Sequence, residues 1–129
     1  MPHFQIDYSG NLEDAVDISA LCEAIRAEAA RIDTFPMAGI RVRALRVDHY
    51  AMADGNPKHG FIDLSIRLRA GRDPAVKQAA VAQIFACMKE FLGPVLAHRS
   101  LALSAEMRDI DAGLSPKYGT TRDHLEEPK

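Results

Sequence analysis

Tryptophan is absent from this chain, and its five Phe and three Tyr bring aromatics to only 6% of the residues. A stacking platform for bases or flat cofactors is therefore not expected, and a core must be built from Ile, Leu, Val and Ala. Positive charge is not in excess: 16 Lys and Arg stand against 18 Asp and Glu, a net charge of -2. That balance leaves no surplus to neutralise phosphates and argues against nucleic acid as a partner. There are two cysteines, Cys22 and Cys87, both inside apolar helical patterns. They read as small buried hydrophobes in a reducing compartment and not as a disulfide framework. No apolar run approaches the roughly 18 residues of a membrane span, and no basic stretch leads into an apolar one. A soluble, cytoplasmic protein that meets no membrane is expected. His3, His49, His59, His98 and His124 form no i, i+4 pair and have no Cys-x-x-Cys companion, so no metal site is expected. A glycine-rich phosphate loop and a nucleophile elbow are also missing.

Hydrophobic patterning is clear by comparison. Phe4, Ile6 and Tyr8 alternate with His3, Gln5 and Asp7, the period of a half-buried strand over residues 2–8. After the turn cluster Ser9-Gly10-Asn11, apolar residues recur at helical spacing: Ile18, Leu21, Cys22, Ile25, Ala29 and Ile32. Asp17 is placed to cap that helix. Phe35-Pro36-Met37-Ala38-Gly39 breaks it. A second strand reads from Ile40, Val42 and Ala44 alternating with Arg41 and Arg43. Its phase slips at Leu45-Arg46 and resumes at Val47, which predicts a bulge. Residues 52–58, with Asp54-Gly55-Asn56-Pro57, make the strongest loop.

The pattern then repeats. Residues 61–69 alternate as a strand with Ile62, Leu64, Ile66 and Leu68 inward. Asp73 before Pro74 predicts a helix start. Val81, Ile84, Phe85, Met88, Phe91, Leu92 and Val95 form its apolar stripe, which Gly93-Pro94 should kink or end. Leu101, Leu103, Ala105 and Met107 alternate as a last strand, and a Gly-, Pro- and charge-rich tail runs from Asp109. Two βαβ units, about 1–50 and 60–108, make one α/β (α+β) domain over 1–108, with 109–129 an extension. Each unit is a right-handed crossover between parallel strands. Together they predict a four-stranded mixed sheet with both helices on one face. The opposite face would carry His3, Gln5, Arg41, Arg43, Asp63, Ser65, Arg67 and Arg69, along with Phe61 and Ala102. Packing between copies would cover it, so a homo-oligomer is expected.

One dipeptide bears on chemistry. Met1 precedes Pro2, and removal of Met1 would leave a secondary amine on a rigid strand. Such a nitrogen is a general base when its pKa is drawn down toward neutrality. Taken by themselves, Met-Pro is a start followed by a turn-prone residue, Arg41 beside Arg43 and Arg46 a solvated strand face, and Arg72 a loop residue.

What singles them out is a resemblance. Met1-Pro2-His3-Phe4, Phe35-Pro36-Met37-Ala38-Gly39-Ile40-Arg41, Met52-Ala53-Asp54-Gly55, Ala70-Gly71-Arg72 and Leu101-Ala102-Leu103-Ser104 appear in order with consistent spacing. Together they span roughly 1–108 and resemble the tautomerase superfamily, which includes 4-oxalocrotonate tautomerase and macrophage migration inhibitory factor. The match is closer to its 5-carboxymethyl-2-hydroxymuconate isomerase branch. The resemblance implies a homotrimer, each protomer with a site around its N-terminal proline, and a reaction without metal or cofactor. It implies keto–enol, double-bond isomerisation: the dienol 5-carboxymethyl-2-hydroxymuconate becomes an unsaturated ketone in homoprotocatechuate degradation. Carried onto this chain, Pro2 matches the catalytic base, and Arg41 and Arg72 match arginines lining the site. Two alternatives stay open here: a non-catalytic trimeric paralogue that binds a ligand, and an enzyme of this fold with another reaction type.

Overall fold

The computed structural model describes residues 1–126. Its four strands are β1 (His3–Ser9), β2 (Arg41–Val47), β3 (Gly60–Arg69) and β4 (Leu101–Ile110), and its helices are α1 (Ile18–Ala30), α2 (Pro74–Phe91) and the short α3 (Gly93–Leu96). The sheet order is β2-β1-β3-β4. β1 and β2 are parallel, β1 and β3 antiparallel, and β3 and β4 parallel. Each βαβ unit thus contributes one parallel pair, and the two units meet at the central antiparallel pair. The mixed sheet with its helices on one face is as the alternation predicted.

Local signals explain the helix ends. Asp17 accepts a hydrogen bond from the Ala20 amide at 3.0 Å, and Asp73 accepts one from Ala75 at 2.8 Å with Pro74 opening the helix. Each such cap is worth about 1 kcal/mol. Gly93-Pro94 ends α2, and the chain restarts as α3. The core lies between the sheet and the helices. Phe4 and Ile6 of β1, Leu21 and Ile25 of α1, Ile62, Leu64 and Ile66 of β3, and Ile84 and Met88 of α2 are fully buried there.

Two expectations need correction. β2 carries no bulge: its register runs unbroken from His3 opposite Arg41 to Ser9 opposite Val47. The apparent slip is chemical. Leu45 keeps its place on the helix-free face, opposite Asp7, and is 49% exposed there. Arg46 lies on the helix side at the sheet edge, where its guanidinium reaches Asp48 at 2.8 Å and Glu13 at 3.8 Å. The last strand is also longer than its apolar alternation, pairing with β3 as far as Ile110 opposite Arg69. Asp109 falls on the helix side, where polarity hid the strand, and Lys77 of α2 neutralises it at 3.1 Å.

The helix-free face carries His3, Gln5, Arg43, Asp63 and Ser65, all only partly exposed, and the exposed Arg67 and Arg69. Partners across strands hold some of them: Ser104 donates to Asp63 at 2.6 Å, and Arg43 reaches Gln5 at 3.4 Å. Among the described residues no helix is long and apolar enough to cross a membrane.

Candidate active site

Pro2 is buried where β1 begins. The chain segment that breaks α1 from β2 is what covers it. Phe35 is 2% exposed and packs edge-on against Phe4, with ring centroids 5.0 Å apart. Burying a ring of this size contributes about 1.5–3 kcal/mol. That anchor fixes the following 3-10 turn, Met37–Gly39, over the proline ring. A Cβ at Gly39 would lie 2.9 Å from Pro2 Cδ, the atom bonded to the ring nitrogen. Only glycine allows so close an approach.

Two adjoining cavities flank this point. One, of about 460 Å³, is bordered by Met1, His3, Arg41, Arg69 and Lys117. The other, of about 320 Å³, is bordered by Met1, Gly39, Arg69, Arg72 and Lys117. The structure therefore brings the three residues singled out from sequence to one place, with Arg41 at the first cavity and Arg72 at the second. Each arginine is oriented by backbone. Arg41 donates from Nε to the Gly39 carbonyl at 3.4 Å, and its amide donates to the Pro2 carbonyl at 3.4 Å. Arg72 donates from Nη1 to the Arg69 carbonyl at 3.1 Å. It follows Gly71, whose φ of +119° makes the turn out of β3 that a side chain would strain.

A larger apolar hollow of about 720 Å³ lies elsewhere, between α2 and β4. It contains no arginine and only Lys77 and Glu106 as charged groups, so it lacks the polar convergence seen at the N-terminus.

The electrostatics are one-sided. Arg41, Arg69, Arg72 and Lys117 have no carboxylate partner among the described residues. Burial first, then the charges of Lys117, Arg72, Arg41 and Arg69, hold the Met1 amine below its ordinary value. His3 is drawn down to about 4 by burial, then by Arg67, Arg41 and Arg43 and the N-terminus, so its ring is neutral at pH 7. An amine here is disfavoured as a cation, while an anion would meet several donors.

Two of these cations were not foreseen as site residues. Arg69 reads from alternation as an ordinary outward residue of β3, and Lys117 sits in a tail without a motif. The place of Lys117 depends on how the segment after β4 returns to the N-terminus, which local pattern does not encode.

A model of the 5-carboxymethyl-2-hydroxymuconate isomerase family matches residues 2–125. This chain belongs to that family. It is 32% identical over 117 residues to the 5-carboxymethyl-2-hydroxymuconate Delta-isomerase of Escherichia coli, covering 91% of this chain and 93% of that one. A crystal structure of a 5-carboxymethyl-2-hydroxymuconate isomerase from Deinococcus radiodurans R1 is 33% identical, with a TM-score of 0.85 over 97% of this chain and 95% of the other. A 5-carboxymethyl-2-hydroxymuconate delta-isomerase structure reaches a TM-score of 0.88 at 28% identity, covering all of this chain (100%) and 95% of that one. More distantly, a fused 4-OT solved as an asymmetric trimer shares the fold at 19% identity and a TM-score of 0.65, covering 95% of this chain and 99% of that one. The tautomerase-like fold and the isomerase family expected from the sequence both stand.

Proposed function

We propose that this chain isomerises 5-carboxymethyl-2-hydroxymuconate from dienol to unsaturated ketone, with the Pro2 nitrogen as general base once Met1 is removed. The observation that carries the reading is the set of cations, without carboxylate partners among the described residues, around a buried N-terminal proline. Removal of Met1 converts the Pro2 nitrogen from an amide into a secondary amine. The surroundings that lower the Met1 amine would act on that nitrogen too, favouring the neutral form that can accept a proton.

The reaction needs one base that takes the proton from the 2-hydroxyl and returns it to a carbon of the conjugated chain. Arg41 and Arg72, in adjoining cavities at the N-terminus, pair with substrate carboxylates and hold the skeleton beside the nitrogen. A guanidinium beside the 2-oxygen also stabilises the dienolate charge that develops as the hydroxyl proton leaves. No step requires a metal or cofactor, and the site residues are side chains and the chain terminus alone. In this reading the enzyme works in the cytoplasm, in the homoprotocatechuate branch of aromatic degradation.

A homotrimer fits the same reading. The helix-free sheet face has Leu45 exposed beside polar residues, a surface a second copy would cover. The reading is tested by mixing Met1-free protein with the dienol and following its ultraviolet absorbance. Loss of absorbance with formation of the ketone supports it; absence of turnover contradicts it.

A further inference from the structure

Muconate has a carboxylate at each end, and the 5-carboxymethyl branch adds a third. Arg41 and Arg72 account for two. Arg41 borders only the first of the two cavities and Arg72 only the second. Two cations, Arg69 and Lys117, border both. They therefore stand on the shared wall, between the arginines.

They come from unrelated parts of the chain. Arg69 ends β3, opposite Ile110 at the end of β4. After Ile110 the chain turns through a 3-10 segment at Ala112–Leu114 and comes back over the N-terminus, so that Ser115 to Gly119 line the first cavity. A second 3-10 segment, Thr121–His124, then packs against the Met37–Gly39 turn that covers Pro2. The returning segment thus closes on the site at two points, with Lys117 inside the closure. Among the described residues, no acidic group pairs with Lys117 or Arg69. The charge of Lys117 also acts on the N-terminal amine more strongly than that of either assigned arginine.

Resting on the isomerase reading, we propose that Lys117, with Arg69, seats the carboxylate of the 5-carboxymethyl branch and so selects three-carboxylate substrates over two-carboxylate ones. A flexible ammonium on a surface segment and a guanidinium on a strand end suit a branch whose direction differs from that of the main chain.

The test is calorimetric binding of two unreactive saturated probes, the tricarboxylate 2-(carboxymethyl)hexanedioate and the dicarboxylate hexanedioate. Wild type is compared with Lys117→Gln, Lys117→Arg and Arg69→Gln, with the thermal midpoint of each variant recorded. A charge-assisted hydrogen bond lost from a ligand costs about tenfold in affinity. Lys117→Gln and Arg69→Gln should each weaken tricarboxylate binding by about that factor and leave hexanedioate within about twofold. Lys117→Arg should restore the tricarboxylate. Equal weakening of both probes, no weakening of either, or no binding of the tricarboxylate to wild type overturns the proposal. Failure of the isomerase reading looks different: wild type would leave the dienol unconverted while these binding differences persist.

Discussion

The two ends of the sheet treat charge in opposite ways. They lie about 30 Å apart, the length of a ten-residue strand. At the end where β3 and β4 begin, several charged and polar groups of the loops are paired. His59 bridges Asp54 at 2.7 Å and Ser100 at 2.6 Å, tying the 52–59 loop to the start of β4. The buried Ser9 donates to Asn11 at 2.8 Å and accepts from the Phe61 amide at 2.9 Å. Arg99 donates to the Asn11 carbonyl at 3.2 Å, and Tyr8 donates to Glu13 at 2.5 Å. At the end where β1 and β2 begin, Arg41, Arg69, Arg72 and Lys117 converge without an acid among the described residues. Like charges brought together cost about 1 kcal/mol at 4 Å even in water, and more in a cleft. Folding gains nothing from that arrangement, whereas a polyanionic ligand does. One end is tied together by hydrogen bonds and ion pairs, and the other gathers like charges that a bound anion would offset.

The sharpest way to break the contrast is at Gly39. Gly39→Ala sets a methyl 2.9 Å from Pro2 Cδ, so the ring must shift or the covering turn must lift. A displacement of about 1 Å at reacting atoms costs about 100-fold in rate. We expect kcat/KM for the dienol to fall by that order, measured by ultraviolet absorbance. An unchanged kcat/KM would mean the turn does not position the proline.

At the opposite end the effect should fall on stability alone. His59→Ala removes two hydrogen bonds, each worth about 0.5–1.5 kcal/mol. The thermal midpoint at fixed protein concentration should drop by about 4–11 °C, with kcat/KM within about twofold of wild type. A large loss of activity at native fold would show that the two ends are coupled.

The smallest effect is a pH slope. His3 titrates at about 4 in the folded chain against an ordinary 6.5. Between those values the unfolded chain holds the extra proton, so stability is full above 6.5 and falls as pH drops toward 4. Thermal midpoints at pH 7 and pH 4.5 should therefore differ less in His3→Gln than in wild type. Equal differences would contradict the lowering of His3 by its burial and the cations around it.

The sheet and the helix boundaries were readable in advance because short-range chemistry sets them. Asp17, Asp73-Pro74 and Gly93-Pro94 mark helix boundaries by capping and by the missing amide of proline, and alternation assigns faces. Two features resisted. Leu45 and Arg46 inverted the polarity expected of their positions, since an edge strand tolerates both, and so imitated a bulge. Asp109 hid the last turn of β4 because Lys77, distant in sequence, neutralises it. The site divides in the same manner. Pro2, Arg41 and Arg72 were identified through ordered blocks of resemblance, whereas Lys117 joins them only through the path of the segment after β4.

The central claim concerns a single nitrogen. Two preparations of the same chain, one retaining Met1 and one cleaved to begin at Pro2, each verified by intact mass, should be compared for kcat/KM on 5-carboxymethyl-2-hydroxymuconate. The account predicts rapid isomerisation by the chain that begins at Pro2 and a loss of about 100-fold or more when Met1 remains, the usual contribution of a general base. Equal rates from the two preparations would contradict it.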